Sequence, residues 1–351
     1  MLRQLARLTV PLPAAGDGAL AVSVYADAHD RPVPARESGV EGVACVDDAA
    51  RLLDVLCDVW ARTRLPWVER WARGLLEFVL WMQEDDGHWI NFVYGWDGAR
   101  NVGGVTSGAG QNFWHARALV GVSHAWLTFR DLRAQDALMQ GLAQAMKKPA
   151  APDVRVLHME VARRLIVDAD EDSLRPALKM WADEVASCNV EGVLMNNPDE
   201  RGVPHLWAHL EEGALAEAGG LLGDPDLIQI ASRSAMSLFA PLVCTGFDLP
   251  SVTPYDVASA VYGLDRLAAA TGDQTWSALA RDARAWFDGR NAAGRAVYDR
   301  ERGRVGDGVD EGRVSENSGA ESNVVAAEAL FDDAVACARV MGDDPLDAPV
   351  G

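Results

Sequence analysis

No CxxC pair occurs in this sequence, and its five cysteines (Cys45, Cys57, Cys188, Cys244 and Cys337) are odd in number and widely spaced. That usage provides neither a disulfide framework nor a zinc site and favours a reducing compartment. Long apolar runs are missing too: no stretch of about 18 apolar residues is found, so no segment is expected to span a bilayer. Arg3 and Arg7 precede a short apolar stretch, but Pro11 and Pro13 interrupt it before the core of a signal peptide can form, which predicts a cytoplasmic protein. Positive charge is scarce. Against 52 Asp and Glu there are 32 Lys and Arg, a formal net charge of -20. Such a field repels phosphate backbones and anionic lipid, so neither nucleic acid nor a membrane is an expected partner, and it counts against strongly anionic polysaccharides. The Gly-rich run at 103–110 has no Lys and no strand before it, which excludes a phosphate loop, and no nucleophile elbow is present.

What the sequence does contain is helical periodicity. Hydrophobic residues make up 49% and charged residues 24%, the balance of an ordinary globular chain. Although 351 residues exceed the usual single domain, helical hairpins can extend one domain by repetition. Residues 1–46 carry Pro and Gly with some alternation, and predict an N-terminal arm or short hairpin packed on the domain at 47–351. Helices are predicted at 47–62, 66–83, 112–128, 131–147, 153–168, 172–187, 205–221, 226–238, 254–271, 274–289 and 319–341. In the second, Trp67, Trp71, Leu75, Phe78, Val79 and Met82 form one apolar stripe, as on a surface helix. The third, with Trp114, Leu119, Val120, Val122, Trp126 and Leu127, is apolar nearly all round and must be enclosed.

Alternation of enclosed and one-faced helices predicts an all-α fold, an (α/α)6-type toroid of helical hairpins with an inner and an outer ring. Short turns follow the inner helices, and the long segments at 84–111, 188–204 and 290–318 follow outer ones, so the inner helices should all begin at one rim. Eleven predicted helices leave the last unpaired.

Polar and aromatic residues gather at those helix starts. Asp47, Asp48 and Arg51 open the first; Gln111, Asn112, His115 and Arg117 open the second; His205, then Tyr255 and Asp256, then Glu316, Asn317 and Glu321 open later ones. Each has a plain alternative, because Asp, Asn and Ser cap helices and an acid in the first turn complements the helix dipole. Several such clusters on one rim suit carbohydrate, whose ring faces stack on aromatics while its hydroxyls pair with carboxylates and amides. Glycoside hydrolysis needs an acid and a base or nucleophile about 5 to 9.5 Å apart. The predicted catalytic groups are Glu321, with its pKa raised by burial, and Asp47 or Asp48, held ionised by the helix dipole. In the loop after the second helix, Gly87 permits a turn and Trp89 either packs beneath it or faces the cavity. Asn91, Tyr94 and Asp97 are better placed for ligand. His205 and His209 would share a helical face with Glu212, but the Glu that follows the first His in a zinc-protease helix is missing. No metal and no cofactor are expected.

On Glu41-Gly42-Val43-Ala44-Cys45-Val46-Asp47-Asp48-Ala49-Ala50-Arg51, Asp86-Gly87-His88-Trp89-Ile90-Asn91-Phe92 and Asn317-Ser318-Gly319-Ala320-Glu321-Ser322, the chain resembles the six-hairpin glycosidase-like proteins, in particular bacterial members associated with glycosyltransferases. The resemblance implies a toroid with a carbohydrate cleft, a glycosyltransferase partner, and Asp47, Asp48, Arg51, Asn91, His115, Arg117 and Glu321 as site residues. Ala49 stands where relatives commonly have Asn, and Gln111-Asn112 where they have acids. The leading expectation is a glycoside hydrolase acting on a neutral or weakly charged oligosaccharide or polysaccharide. A polysaccharide lyase or sugar epimerase, using His or Tyr for proton transfer, is the alternative. A noncatalytic glycan-binding or glycosyltransferase-accessory module is the third reading.

Overall fold

The structure is a computed structural model that describes residues 1–36, 39–197, 199 and 202–342. Residues 198, 200 and 201 of the predicted segment 188–204, and the end of the predicted domain beyond 342, lie outside the described residues. Among the described residues there are thirteen α-helices: α1 (Leu2–Leu8), α2 (Val46–Thr63), α3 (Pro66–Trp81), α4 (Phe113–Phe129), α5 (Leu132–Ala145), α6 (Pro152–Asp168), α7 (Arg175–Ser187), α8 (Glu211–Leu222), α9 (Pro225–Cys244), α10 (Pro254–Thr271), α11 (Gln274–Arg284), α12 (Ala320–Ala329) and α13 (Phe331–Val340). They form two compact units. The first comprises 1–149, 298–307 and 316 onward; the second comprises 150–297 and 308–315.

Local chemistry explains most helix ends. Asn112 caps α4 by accepting the His115 amide at 3.1 Å, and Asp131, Asp224 and Asp273 cap α5, α9 and α11. Thr253 and Asp256 form a reciprocal capping box on α10. Pro66, Pro152, Pro225 and Pro254 open their helices, where a missing N–H costs nothing.

In the first unit α2 packs on α3 and α4, and α4 on α5. The backbones of α2 and α4 come close at Gly121, where a Cβ would lie 2.7 Å from the Ala50 carbonyl oxygen. Burial follows the predicted alternation. No residue of α4 is fully exposed, whereas α3 exposes Pro66, Arg70 and Arg73 and buries Trp67, Trp71, Leu75, Phe78 and Val79. The N-terminal arm contains α1 and short antiparallel pairs, Thr9–Pro11 with Leu20–Val22 and Tyr25–Ala26 with Pro32–Val33. The predicted helix 319–341 is two helices. Leu330 leaves helical geometry at φ -112°, ψ 47°, and this break supplies the partner that the eleventh helix lacked.

In the second unit α8 is enclosed between α9 and α10, and α6 packs on α7 and α8. Its predicted helix at 205–221 begins only at Glu211. Ala208 takes φ 54°, in the left-handed region, so His205 and His209 lie in a turn and share no helical face. α9 runs past the predicted end at 238 and through Pro241 to Cys244. It is, among the described residues, the one helix long and apolar enough to cross a membrane by length and composition, which the run-length reading did not anticipate. Its Leu227, Ala231, Ala235 and Phe239 are buried in the unit.

Candidate active site

In the first unit the site grows from the start of α2. Strand pairing of Ala44–Cys45 with Phe92–Val93 brings Asn91 beside the helix, where its Oδ1 accepts the Asp47 amide at 3.1 Å and its Nδ2 donates to the Thr106 carbonyl at 3.0 Å. Cys45 Sγ caps the helix on the Asp48 amide at 3.4 Å. Arg51, one turn further, binds both acids: its Nε lies 3.1 Å from Asp47 and its Nη2 2.9 Å from Asp48 Oδ1. The same Nη2 lies 2.9 Å from Glu321 Oε1, so the Asp48 and Glu321 oxygens are no further apart than twice that distance. Arg117 of α4 pairs with Asp47 from the other side.

These contacts split the two aspartates. Burial, the largest influence on each, works against charge. At Asp47 the Arg117 and Arg51 guanidinium groups outweigh it and hold the carboxyl below its usual range. At Asp48 burial prevails over Arg51, with Glu321 and Asp47 adding repulsion, and the pKa is pushed up to about 7. The acid expected of the pair was Glu321, on the premise of burial. Its side chain is 48% exposed, so that premise does not hold, and Asp48 is the carboxyl that burial raises.

The other predicted residues of this unit divide by accessibility. Trp89 is fully buried and donates its indole N–H to the Val79 carbonyl at 2.8 Å, so it packs and presents no face to a ligand. His115 is equally buried, 5.1 Å from the His88 ring and 5.5 Å from Trp89. Burial, then His88, pushes its pKa down to about 4. Gln111 Nε2 approaches His88 Nε2 at 3.4 Å, and Asn112 is spent on capping α4. Tyr94 is exposed and donates to Asn101 Oδ1 at 2.9 Å; Glu316 and Asn317 are exposed. The sequence reading missed a continuation of the charged stripe. Asp54 and Asp58 follow Arg51 on one face of α2, His124 of α4 lies 2.8 Å from Asp54, and Glu328 is exposed two turns after Glu321. The i, i+4, i+7, i+11 spacing from Asp47 was the available signal.

The second unit holds the remaining predicted residues. Asp256 accepts from the Thr253 amide at 2.7 Å and from its hydroxyl at 2.9 Å, so it is a capping residue, and Tyr255 is buried. His205 fares differently. It lines an open cavity of about 440 Å³ with Asp153, Asn196, Asn197 and Asp199. Its Nε2 lies 3.3 Å from Asp153, its Nδ1 is 2.7 Å from the Trp207 carbonyl oxygen, and its ring stacks on the Trp207 ring at 3.9 Å. Burial opposes the charged imidazole, but Asp153 and the Trp207 carbonyl outweigh it and raise the His205 pKa. Trp207 remains 43% exposed. Asp153 sits just after the opening Pro152 of α6, where it reads as an ordinary first-turn acid, and for that reason the sequence reading passed over it.

No family model matches the chain, and no curated protein does. Solved structures match it over nearly its whole length. A sugar epimerase from a ruminal bacterium aligns with a TM-score of 0.69 at 11% identity, over 95% of each chain. Cellobiose 2-epimerase from Bacillus thermoamylovorans gives 0.70 at 10% identity, over 95% of this chain and 96% of that one. A GH76 α-mannanase from Bacteroides thetaiotaomicron gives 0.60 at 12% identity, over 86% and 89%. At such identities the likeness speaks to fold. The chain is mostly helical and structurally matches the six-hairpin, (α/α)6-toroid proteins, as the alternation of its helices predicts.

Proposed function

We propose that this chain is a sugar-transforming enzyme of the epimerase or isomerase kind, working through proton transfer at the cavity of the second unit. The observation that carries this reading is the His205–Asp153 pair at the wall of that cavity. Aldose–ketose exchange needs a group that takes a proton from one carbon and delivers it to the neighbouring one, and epimerisation beside a carbonyl needs the proton returned on the opposite face, by a second group or after the enediolate turns over. Imidazole is suited to both steps near neutral pH: the Trp207 carbonyl holds Nδ1–H and orients the ring, which leaves Nε2, beside Asp153, to exchange the proton. Asn197 and Asp199 supply hydroxyl partners, and the exposed part of Trp207 supplies an apolar platform beside the imidazole. The higher structural similarity to the two sugar epimerases than to the mannanase supports the same reading.

Glycoside hydrolysis by Asp48 and Glu321 is the second reading, favoured by the elevated pKa of Asp48 and by the closeness of the two carboxyls around Arg51. Against it, the Arg51 guanidinium bridges the two carboxyls, where the reacting sugar would have to lie.

The two readings are separated by incubating the protein with a panel of neutral mono- and disaccharides in D2O and following products by NMR. The proposal expects an epimer or ketose carrying deuterium next to the carbonyl, with the rate lowered at least about 100-fold in His205→Gln. New reducing ends without deuterium, lost in Asp48→Asn and kept in His205→Gln, would establish the hydrolase instead.

A further inference from the structure

Beneath the cavity, at the start of α8, lies a polar cluster that the sugar chemistry above does not use. Side chains of His209, Glu211 and Glu212 are completely buried, and Asn196, which lines the cavity, is 1% exposed. The left-handed turn at Ala208 folds His209 back over the first turn of α8. His209 Nε2 then lies 3.1 Å from Glu212 Oε1, and His209 Nδ1 lies 3.4 Å from Glu211 Oε2. Asn196 Nδ2 reaches His209 Nδ1 at 2.8 Å and donates to Glu211 Oε1 at 3.1 Å. From α9, Ser234 donates its hydroxyl to Glu212 Oε1 at 2.5 Å, and is itself fixed by the Leu194 amide at 2.9 Å. One ligand atom from each of His209, Glu211 and Glu212 falls within 4.8 Å of the others.

Three oxygens in this cluster have no hydrogen-bond donor: Glu211 Oε2, Glu212 Oε2 and Asn196 Oδ1. A buried polar atom left without a partner costs about 1–3 kcal/mol, and more when it carries charge. Turning the Asn196 amide over would offer its oxygen to His209, but it would take the NH2 away from Glu211 and still leave both carboxylate oxygens bare. One imidazolium balances only one of the two buried carboxyls when both are ionised. A divalent cation would take one ligand atom from each of His209, Glu211 and Glu212, and Asn196 would supply its amide oxygen once that amide is turned towards them.

We infer that His209, Glu211, Glu212 and Asn196 form a binding site for a divalent transition-metal ion, Zn2+ or Mn2+. One nitrogen and three oxygens suit these ions better than a soft metal that prefers thiolate, and bonds of about 2.0–2.2 Å to Zn2+ require the ligand atoms of His209, Glu211 and Glu212 to draw in from a spacing of up to 4.8 Å. The sugar reading is not needed for this inference.

The test is metal binding by the intact chain, freed of metal with a chelator and titrated with Zn2+ or Mn2+. Calorimetry and metal analysis should show one tight equivalent per chain, and the thermal midpoint should rise with metal. Glu211→Gln, Glu212→Gln and Asn196→Ala should each weaken binding at least about tenfold. Asn196→Asp, which supplies a carboxylate for a carboxamide of the same shape, should keep or tighten binding, and it serves as the test if the glutamine variants fail to fold. Absence of binding by the folded wild type would overturn the inference. So would equal affinity in Asn196→Ala, Asn196→Asp and the wild type, which would place the ion on other groups.

Discussion

Replacing Asp48 with Asn should make the folded protein less sensitive to rising pH. Asp48 is 3% exposed at the start of α2, and burial, despite Arg51 and reinforced by Glu321 and Asp47, moves its pKa from 3.8 to about 7. A carboxyl whose pKa is higher in the folded chain contributes its full stabilisation below about 3.8 and loses it as pH climbs through 7. At about 1.4 kcal/mol per pH unit, that interval is worth roughly 4 kcal/mol. Asparagine keeps the shape and an oxygen for Arg51 but cannot ionise, so the variant escapes this loss. Urea unfolding of both proteins at pH 4.5, 6 and 8, with the slopes checked for constancy, measures the difference for Asp48 and the neighbours coupled to it, because titrations that do not feel Asp48 cancel. The variant should be equal to or weaker than wild type at pH 4.5 and should gain steadily towards pH 8. A pH-independent difference, or a variant that loses ground above pH 6, would refute the assignment of burial as the dominant influence on Asp48.

Three further outcomes follow from the same geometry. Gly121→Ala, which forces a Cβ to 2.7 Å from the Ala50 carbonyl oxygen between α2 and α4, should cost about 1–3 kcal/mol and lower the thermal midpoint. Arg117→Leu should destabilise by about 3 kcal/mol by leaving Asp47 with Arg51 alone, and a second change, Asp47→Asn, should restore much of the loss in a double-mutant cycle. His115, held near a pKa of about 4 by burial and His88, should show a neutral imidazole by nitrogen NMR at pH 5.5; a charged ring there would contradict its placement.

Much of the helical framework was legible because it rests on short-range chemistry. α2, α4, α6 and α10 begin and end within one or two residues of where periodicity, caps and opening prolines put them. The failures had local causes too, but ones that periodicity conceals. His205, Leu206, His209 and Leu210 mimic a helical face until Ala208 adopts a left-handed conformation. α12 and α13 read as one helix because nothing in their composition marks the break at Leu330. In the candidate site the grouping of Asp47, Asp48, Arg51, Arg117 and Glu321 was anticipated, while the roles within it were not. Which carboxyl is buried depends on what packs over it, and that was Asp48 and not Glu321.

The sequence by itself determined where helices form, which of them are enclosed, and that acids, amides and aromatics stand at their starts, since each of these follows from neighbours a few residues apart. Tertiary structure alone decided that Trp89 is sealed in the interior, that Asp153 meets His205 across 51 intervening positions, and that Asn196 closes over His209 and Glu211. Charge and pKa depend on dielectric surroundings and on groups brought together from distant parts of the chain. Neither is encoded in any local pattern.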